Sequence, residues 1–252
     1  MLKVRVIPTL LWKEFGLVKG IRFDSGRRVG AVLPAIKVYN QRDVDELFLA
    51  DILANQENRE SDLETIAEIG TSCYVPFTFG GGITNIQQVQ NILESGADKI
   101  SINSYAFEHP QIVSEIATRY GSQSIVGSID VKLTSPNSWE CFSHSGKHST
   151  GRNVLDWAQE LEARGVGEIL LTSIDRDGTM TGYDIPLIAQ VANKVKIPII
   201  ASGGAGNYQH MIQAVIEGGA SAVAAASIFH FTEMTPAEAK ITMRKAGIPT
   251  RC

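Results

Sequence analysis

A carboxylate at the end of a β-rich run is a candidate proton carrier, and this chain has one in Ser128-Ile129-Asp130. General acid–base chemistry needs an ionisable group within hydrogen-bond reach of the reacting atom. The corresponding run near the start of the chain ends Thr9-Leu10-Leu11, and leucine has no proton to give or take. Two glycine-rich segments, Phe79-Gly80-Gly81-Gly82-Ile83 and Ser202-Gly203-Gly204-Ala205-Gly206, let backbone N–H groups come close to an anion. Farther along, Asn103-Ser104 and Ala226-Ser227 each combine a hydroxyl with the expected start of a helix, which makes a phosphate seat. Gly81, Gly82, Asn103, Ser104, Gly203, Gly204, Ala226 and Ser227 are therefore the candidate phosphate contacts. Their duplication suits a small molecule with a phosphate at each end. Tight βα turns alone would also use these glycines, but a duplicated pattern favours binding.

The elements that must carry these groups follow from periodicity. Val4–Leu10, Glu46–Asp51, Val75–Phe79, Lys99–Asn103, Ser124–Asp130, Glu168–Ile174, Ile197–Ser202 and Ala222–Ala226 read as strands. Helical or loop segments separate them. Parallel strands need crossover helices, so eight such units predict a closed (β/α)8 TIM barrel. Residues 1–252 are expected to form one barrel domain, a length such barrels typically reach. The halves echo each other: Val44–Leu49 resembles Val166–Leu171, and Gly96-Ala97-Asp98-Lys99 resembles Gly219-Ala220-Ser221-Ala222. This half-barrel repeat pairs Asp130 with Leu11.

Side chains two apart on a strand share a face. Arg5, Ile7, Thr9 and Leu11 thus lie together, as do Lys99, Ser101 and Asn103, and Glu168, Leu170 and Thr172. If those faces point inward, Arg5, Glu46, Lys99 and Glu168 meet at the barrel floor. Buried charges are costly unless paired, so a neutral ring is expected there. A structural plug and a gate for a small molecule both fit this arrangement.

Bulk properties narrow the function. The formal net charge of −4 disfavours nonspecific nucleic-acid binding. The three cysteines, Cys73, Cys141 and Cys252, form neither a disulfide framework nor a zinc spacing, which suits a reducing cytosol. Met1-Leu2-Lys3-Val4-Arg5 lacks the apolar run of a signal peptide, and no stretch reaches the ~18 apolar residues of a membrane span. No metal or cofactor is expected. His144 and His148 fall in a Gly- and Ser-containing hairpin rather than on a helix, His230 and Trp157 read as structural, and Cys73 as buried packing. Asp51 lies at a strand end. Asp177, before Gly178, either orients a ligand or caps a helix.

Leu17-Val18-Lys19-Gly20, Phe79–Ile83, Gly96–Asn103, Gly167–Thr179 and Ile199–Gly206 together resemble the cyclase subunit family of imidazole glycerol phosphate synthase, over almost the whole chain. The resemblance implies a barrel that works with a glutaminase subunit docked on its floor, where Asp98 matches a partner-facing position. It implies that Arg5, Glu46, Lys99 and Glu168 form a gate through which ammonia enters. At the top, ammonia would meet a bis-phosphate ribosyl-aminoimidazole-carboxamide ligand. Asp130 and the loop lysine Lys19 match catalytic positions, and Asp177 and Gly178, inside one of the matching segments, are candidate ligand contacts. The family pair of aspartates is incomplete, because Ile7-Pro8-Thr9-Leu10-Leu11-Trp12 stands where the family reads close to I-P-C-L-D-V. Gly30-Ala31-Val32 also departs from the acidic residue and proline usual there.

A leucine at that place is similar to a divergent branch linked to acetamidino modification of surface-polysaccharide sugars. The leading expectation is membership of that branch, with ammonia passed to a third, ATP-dependent amidotransferase. The alternative is the histidine-pathway synthase itself. A third is a sugar-phosphate isomerase like the sister barrel, which also uses paired acids.

Overall fold

The computed structural model describes residues 3–14, 16–24, 26–57 and 59–251. Cys252 and the extreme N-terminal pair, Met1-Leu2, lie outside these residues.

Eight parallel strands close into a barrel: Arg5–Lys13, Leu47–Asp51, Phe77–Gly80, Lys99–Ile102, Ile125–Ser135, Glu168–Ser173, Ile199–Ser202 and Ala222–Ala225. Each pairs with the next in sequence; the eighth pairs with the first through Arg5↔Ala222 to Pro8↔Ala225. The expected strands are all present. The first and fifth run beyond their expected ends because each continues into antiparallel pairing. Leu11–Lys13 pairs with Gly16–Lys19, and Asp130–Ser135 pairs with Ser138–Ser143. Gly16–Lys19 pairs in turn with Arg27–Gly30, and Ser138–Ser143 with His148–Asn153.

Alternation along the strands sorts side chains into two apolar layers. Ile7, Phe48, Val126, Leu170, Ile200, Ala222 and Ala224 form a buried cluster inside the barrel. Their neighbours, such as Val6, Leu47, Leu49, Ile169, Leu171 and Val223, pack outward against helices. Several of the longer helices begin at a side-chain cap that satisfies an N–H group the first turn leaves unpaired. Asn85 accepts from the Gln88 amide at the start of Ile86–Glu94, and Asn207 accepts from the His210 amide at the start of Tyr208–Ile216. These caps occupy matching places in the two halves. So do two short helices, Ser104–Glu108 and Ser227–Phe231, preceded by Asn103 (φ −133°, ψ −91°) and Ala226 (φ −126°, ψ −67°). The internal repeat thus extends to backbone torsions.

The last helix, Pro236–Lys245, is fastened beneath the barrel by a buried lysine. Lys240 Nζ lies 2.7 Å from Asp43 and 3.3 Å from Asp45, and Asp45 also accepts from the Val6 amide at 2.8 Å. Among the described residues no helix is long and apolar enough to cross a membrane.

Candidate functional site

A cavity of about 210 Å³ opens at the C-terminal end of the strands, the face where barrels of this kind place their ligands. Every candidate ligand contact lines it: Lys19, Gly81, Gly82, Asn103, Ser104, Asp130, Asp177, Gly178, Gly203, Gly204, Ala226 and Ser227. The glycines are required by the backbone. Gly81 has φ 118° and Gly204 has φ 109°. A Cβ at Gly81 would sit 2.3 Å from the Asp51 carbonyl oxygen, and one at Gly204 2.1 Å from that of Gly182. The two glycine loops therefore bring bare backbone to opposite sides of the mouth.

Asp130 sits at the inner wall, 9% exposed. Burial raises its pKa to about 7, helped by the nearby charge of Asp177; hydrogen bonds from Thr172 and Asn103 act in the opposite direction. Asn103 Nδ2 donates to Asp130 Oδ2 at 2.7 Å, and Thr172 is its register partner on the sixth strand. A carboxyl group with this pKa can take and return a proton near neutrality. Leu11 lines the same cavity but contributes no proton carrier.

The loop after the first strand folds across the mouth. Lys19 Nζ is buried and forked onto Asp177, 2.8 Å from one carboxylate oxygen and 3.0 Å from the other. The Arg22 amide donates to the Asp177 carbonyl at 2.8 Å, and a Cβ at Gly178 would sit 2.2 Å from the Gly20 carbonyl oxygen. The long hairpin after the fifth strand closes another side. Its His144 amide donates to Ser104 Oγ at 2.9 Å, and Ser145 Oγ donates to the Ile52 carbonyl at 3.1 Å. The Ser104 hydroxyl keeps its own proton to donate to a ligand.

At the opposite end the four floor charges form an alternating ring. Arg5 reaches Glu46 at 2.7 Å and Glu168 at 2.6 Å; Lys99 reaches Glu46 at 2.8 Å and Glu168 at 2.5 Å. Each carboxylate oxygen in the ring meets one cation. Thr78 Oγ1 adds a hydrogen bond to Glu46 at 3.1 Å. Burial opposes the charged form of Glu168, but the Arg5 hydrogen bond and the charges of Arg5 and Lys99 outweigh it and hold its pKa below the ordinary value.

A floor of paired charges, an apolar interior and a glycine-lined mouth lie along one barrel axis. The family described as histidine biosynthesis protein matches residues 5–235. The chain is 46% identical to a protein of Hyphomonas neptunium named imidazole glycerol phosphate synthase subunit HisF, over 100% of this chain and 99% of that protein. This chain belongs to the histidine biosynthesis protein family.

In this family member two other aspartates lining the cavity, Asp51 and Asp177, are each engaged. Asp51 Oδ1 accepts from the Leu53 and Ala54 amides at 3.1 and 3.0 Å, and Arg59 pairs with the other oxygen at 2.9 Å. Asp177 is held by Lys19. Asp177 caps no helix; the cap on Ile185–Lys194 is Asp184. Asp98, on the floor side, is exposed and accepts from the Phe77 amide at 2.8 Å.

The other residues read as structural also find places. Trp157 is buried and stacks on Phe107 with ring centroids 4.6 Å apart. His230 packs edge-on to Tyr39, and burial, with Lys19 and Arg42 nearby, lowers its pKa to about 4. Cys73 is half-buried rather than buried, because it follows a helix end, and its thiol donates to the Val75 carbonyl at 3.2 Å. The rings of His144 and His148 lie 4.5 Å apart in the hairpin, and no group of metal-binding side chains occurs among the described residues.

Sequence reading did not foresee the Thr172 contact to Asp130 or the Thr78 contact to Glu46. Strand parity had placed Thr172 on the same face as Glu168, which was the available signal. Nothing local pointed to the lysine fastening the last helix.

Proposed function

We propose that this chain is the cyclase subunit of imidazole glycerol phosphate synthase, one barrel taking ammonia from a glutaminase subunit at its floor. The observation that carries the reading is the alignment of the Arg5–Glu46–Lys99–Glu168 ring beneath a cavity holding Asp130 and two glycine-lined seats. The full-length likeness to a protein named for this activity supports it. The bis-phosphate ligand binds with one phosphate at Gly81, Gly82 and Ser104 and the other at Gly203, Gly204 and Ser227. Lys19, Asp177 and Gly178 bring the first loop over it, and Asp130 carries the proton. Asp98 faces the glutaminase. With one acid instead of two, turnover is slower than in a two-acid relative by up to about 10²–10⁴-fold.

The test is turnover of the bis-phosphate imidazole-carboxamide precursor with excess ammonium salt at alkaline pH, which bypasses the glutaminase. Slow but measurable formation of imidazole glycerol phosphate is expected. Leu11→Asp is expected to raise the rate, because the new carboxyl would open onto the same cavity as Asp130. No product from folded wild-type protein, beside an active relative as control, would overturn the reading.

A second reading is favoured by Leu11 specifically. Here the barrel receives glutamine-derived ammonia and passes it to an ATP-dependent amidotransferase that makes acetamidino sugars for surface polysaccharide. Retained floor charges with a missing top acid suit that role. It predicts glutamine-dependent ammonia release with no cyclase product.

A further inference from the structure

Two buried polar atoms inside the cavity are left without a hydrogen-bond partner. They are Thr9 Oγ1 and Asn103 Oδ1. The two other such atoms among the described residues lie elsewhere or are paired by charge: Tyr120 Oη is on an outer helix, and Asp51 Oδ2 has Arg59 at 2.9 Å. Buried polar atoms are ordinarily satisfied, so two in one cavity mark contacts meant for something the cavity receives.

Their chemistry indicates what that is. Asn103 Nδ2 is already committed to Asp130 at 2.7 Å, so its carbonyl oxygen only accepts. The Thr9 hydroxyl can accept or donate. A small molecule rich in N–H groups and bearing one lone pair satisfies both. Position along the axis agrees. On the first strand the inward residues rise from Arg5 in the ring, through Ile7 in the apolar cluster, to Thr9 and then Leu11. Asn103, beside Asp130, lies four residues beyond Lys99 of the ring just as Thr9 lies four beyond Arg5, so a neutral molecule rising through the apolar layer reaches both.

We propose that the Thr9 hydroxyl and the Asn103 carbonyl oxygen are two receiving positions for ammonia above the floor ring, the second of them beside Asp130. This rests on the ammonia reading above and adds a positioning role for Thr9. The hydroxyl holds ammonia below the ligand; it does not itself exchange the reacting proton.

The test compares wild type with Thr9→Val, which swaps the hydroxyl for a methyl group, with Thr9→Ser, which keeps it, and with Thr9→Ala as a second hydroxyl-free variant. The first readout is the urea midpoint at pH 9 in ammonium chloride against sodium chloride at equal concentration. Wild type and Thr9→Ser should be stabilised by the ammonium salt relative to the sodium salt, and the hydroxyl-free variants should lose that increment. The second is ammonia-dependent turnover. Thr9→Val should raise KM for ammonia by roughly 5- to 10-fold, the effect of one hydrogen bond, and by more than any fall in kcat; Thr9→Ser should restore it. An equal ammonium increment in wild type and Thr9→Val, or none in wild type, would mean that the hydroxyl holds only water and would overturn the proposal. If wild type forms no cyclase product, the functional reading fails, and the unfolding readout still decides whether Thr9 receives ammonia.

Discussion

Asp130→Asn is expected to reduce ammonia-dependent turnover by about 10²–10⁴-fold. An amide preserves the size of the side chain and can still bond Asn103 or Thr172. A loss of rate with normal folding would therefore report the proton and not the packing. The same substitution should have the opposite effect on stability above neutral pH. Asp130 has its pKa raised from 3.8 to about 7 in the folded protein. The folded state holds this proton more tightly than the unfolded chain does. The stabilisation it provides is complete below pH 3.8 and is lost as pH rises through about 7. A difference of roughly three pKa units corresponds to a cost of the order of 4 kcal/mol for the buried carboxylate at pH 8–9. Removing the charge should therefore raise the unfolding free energy of Asp130→Asn relative to wild type at pH 8–9, with little gain near pH 4. Urea titrations at the two pH values measure this. Full retention of activity would remove Asp130 from the chemistry; an unchanged pH dependence of stability would remove its raised pKa.

Lys99→Ala should separate the source of ammonia from its use. The substitution leaves Arg5 alone against Glu46 and Glu168, whose side chains are 3% and 9% exposed. Stranding a buried charge costs about 3–5 kcal/mol; the lower end applies here, because Lys99 is 18% exposed and water can enter its place. Turnover with added ammonium salt should persist at temperatures well below unfolding. Turnover driven by glutamine, with the glutaminase subunit bound, should fall or become uncoupled, releasing free ammonia. Unchanged coupling would make the ring a structural plug. Its pH dependence runs opposite to that of Asp130. Glu168 has a lowered pKa, so its contribution is present above the ordinary 4.5 and is lost as pH falls through the lower folded value. In Lys99→Ala, with one of its two cations gone, Glu168 should protonate at a higher pH, and acid unfolding should begin earlier than in wild type.

The fold and the membership of the site were legible in the sequence, because both depend on local pattern. A period of two told inward from outward residues, so Arg5, Glu46, Lys99 and Glu168 could be placed in one layer although they come from four strands. The glycine runs marked the tight turns that line the mouth, and the repeat showed that there were two. Lys19, Asp177 and Asp130 stood out by type and by resemblance. What the sequence by itself could not determine was the state of these groups. The fork of Lys19 onto Asp177 joins residues 158 apart. The pKa of Asp130 depends on water excluded by walls from several strands, and the locking of Asp51 depends on where Arg59 returns. The prolonged first and fifth strands arise from hairpin partners that local propensity does not specify. The unpaired hydroxyl of Thr9 is visible only once the barrel has closed, since a strand residue has no known partner until its neighbours are in register. Alternation and turn chemistry are properties of a few consecutive residues; burial, pairing and proton affinity are properties of the closed barrel, and only the tertiary structure decided them.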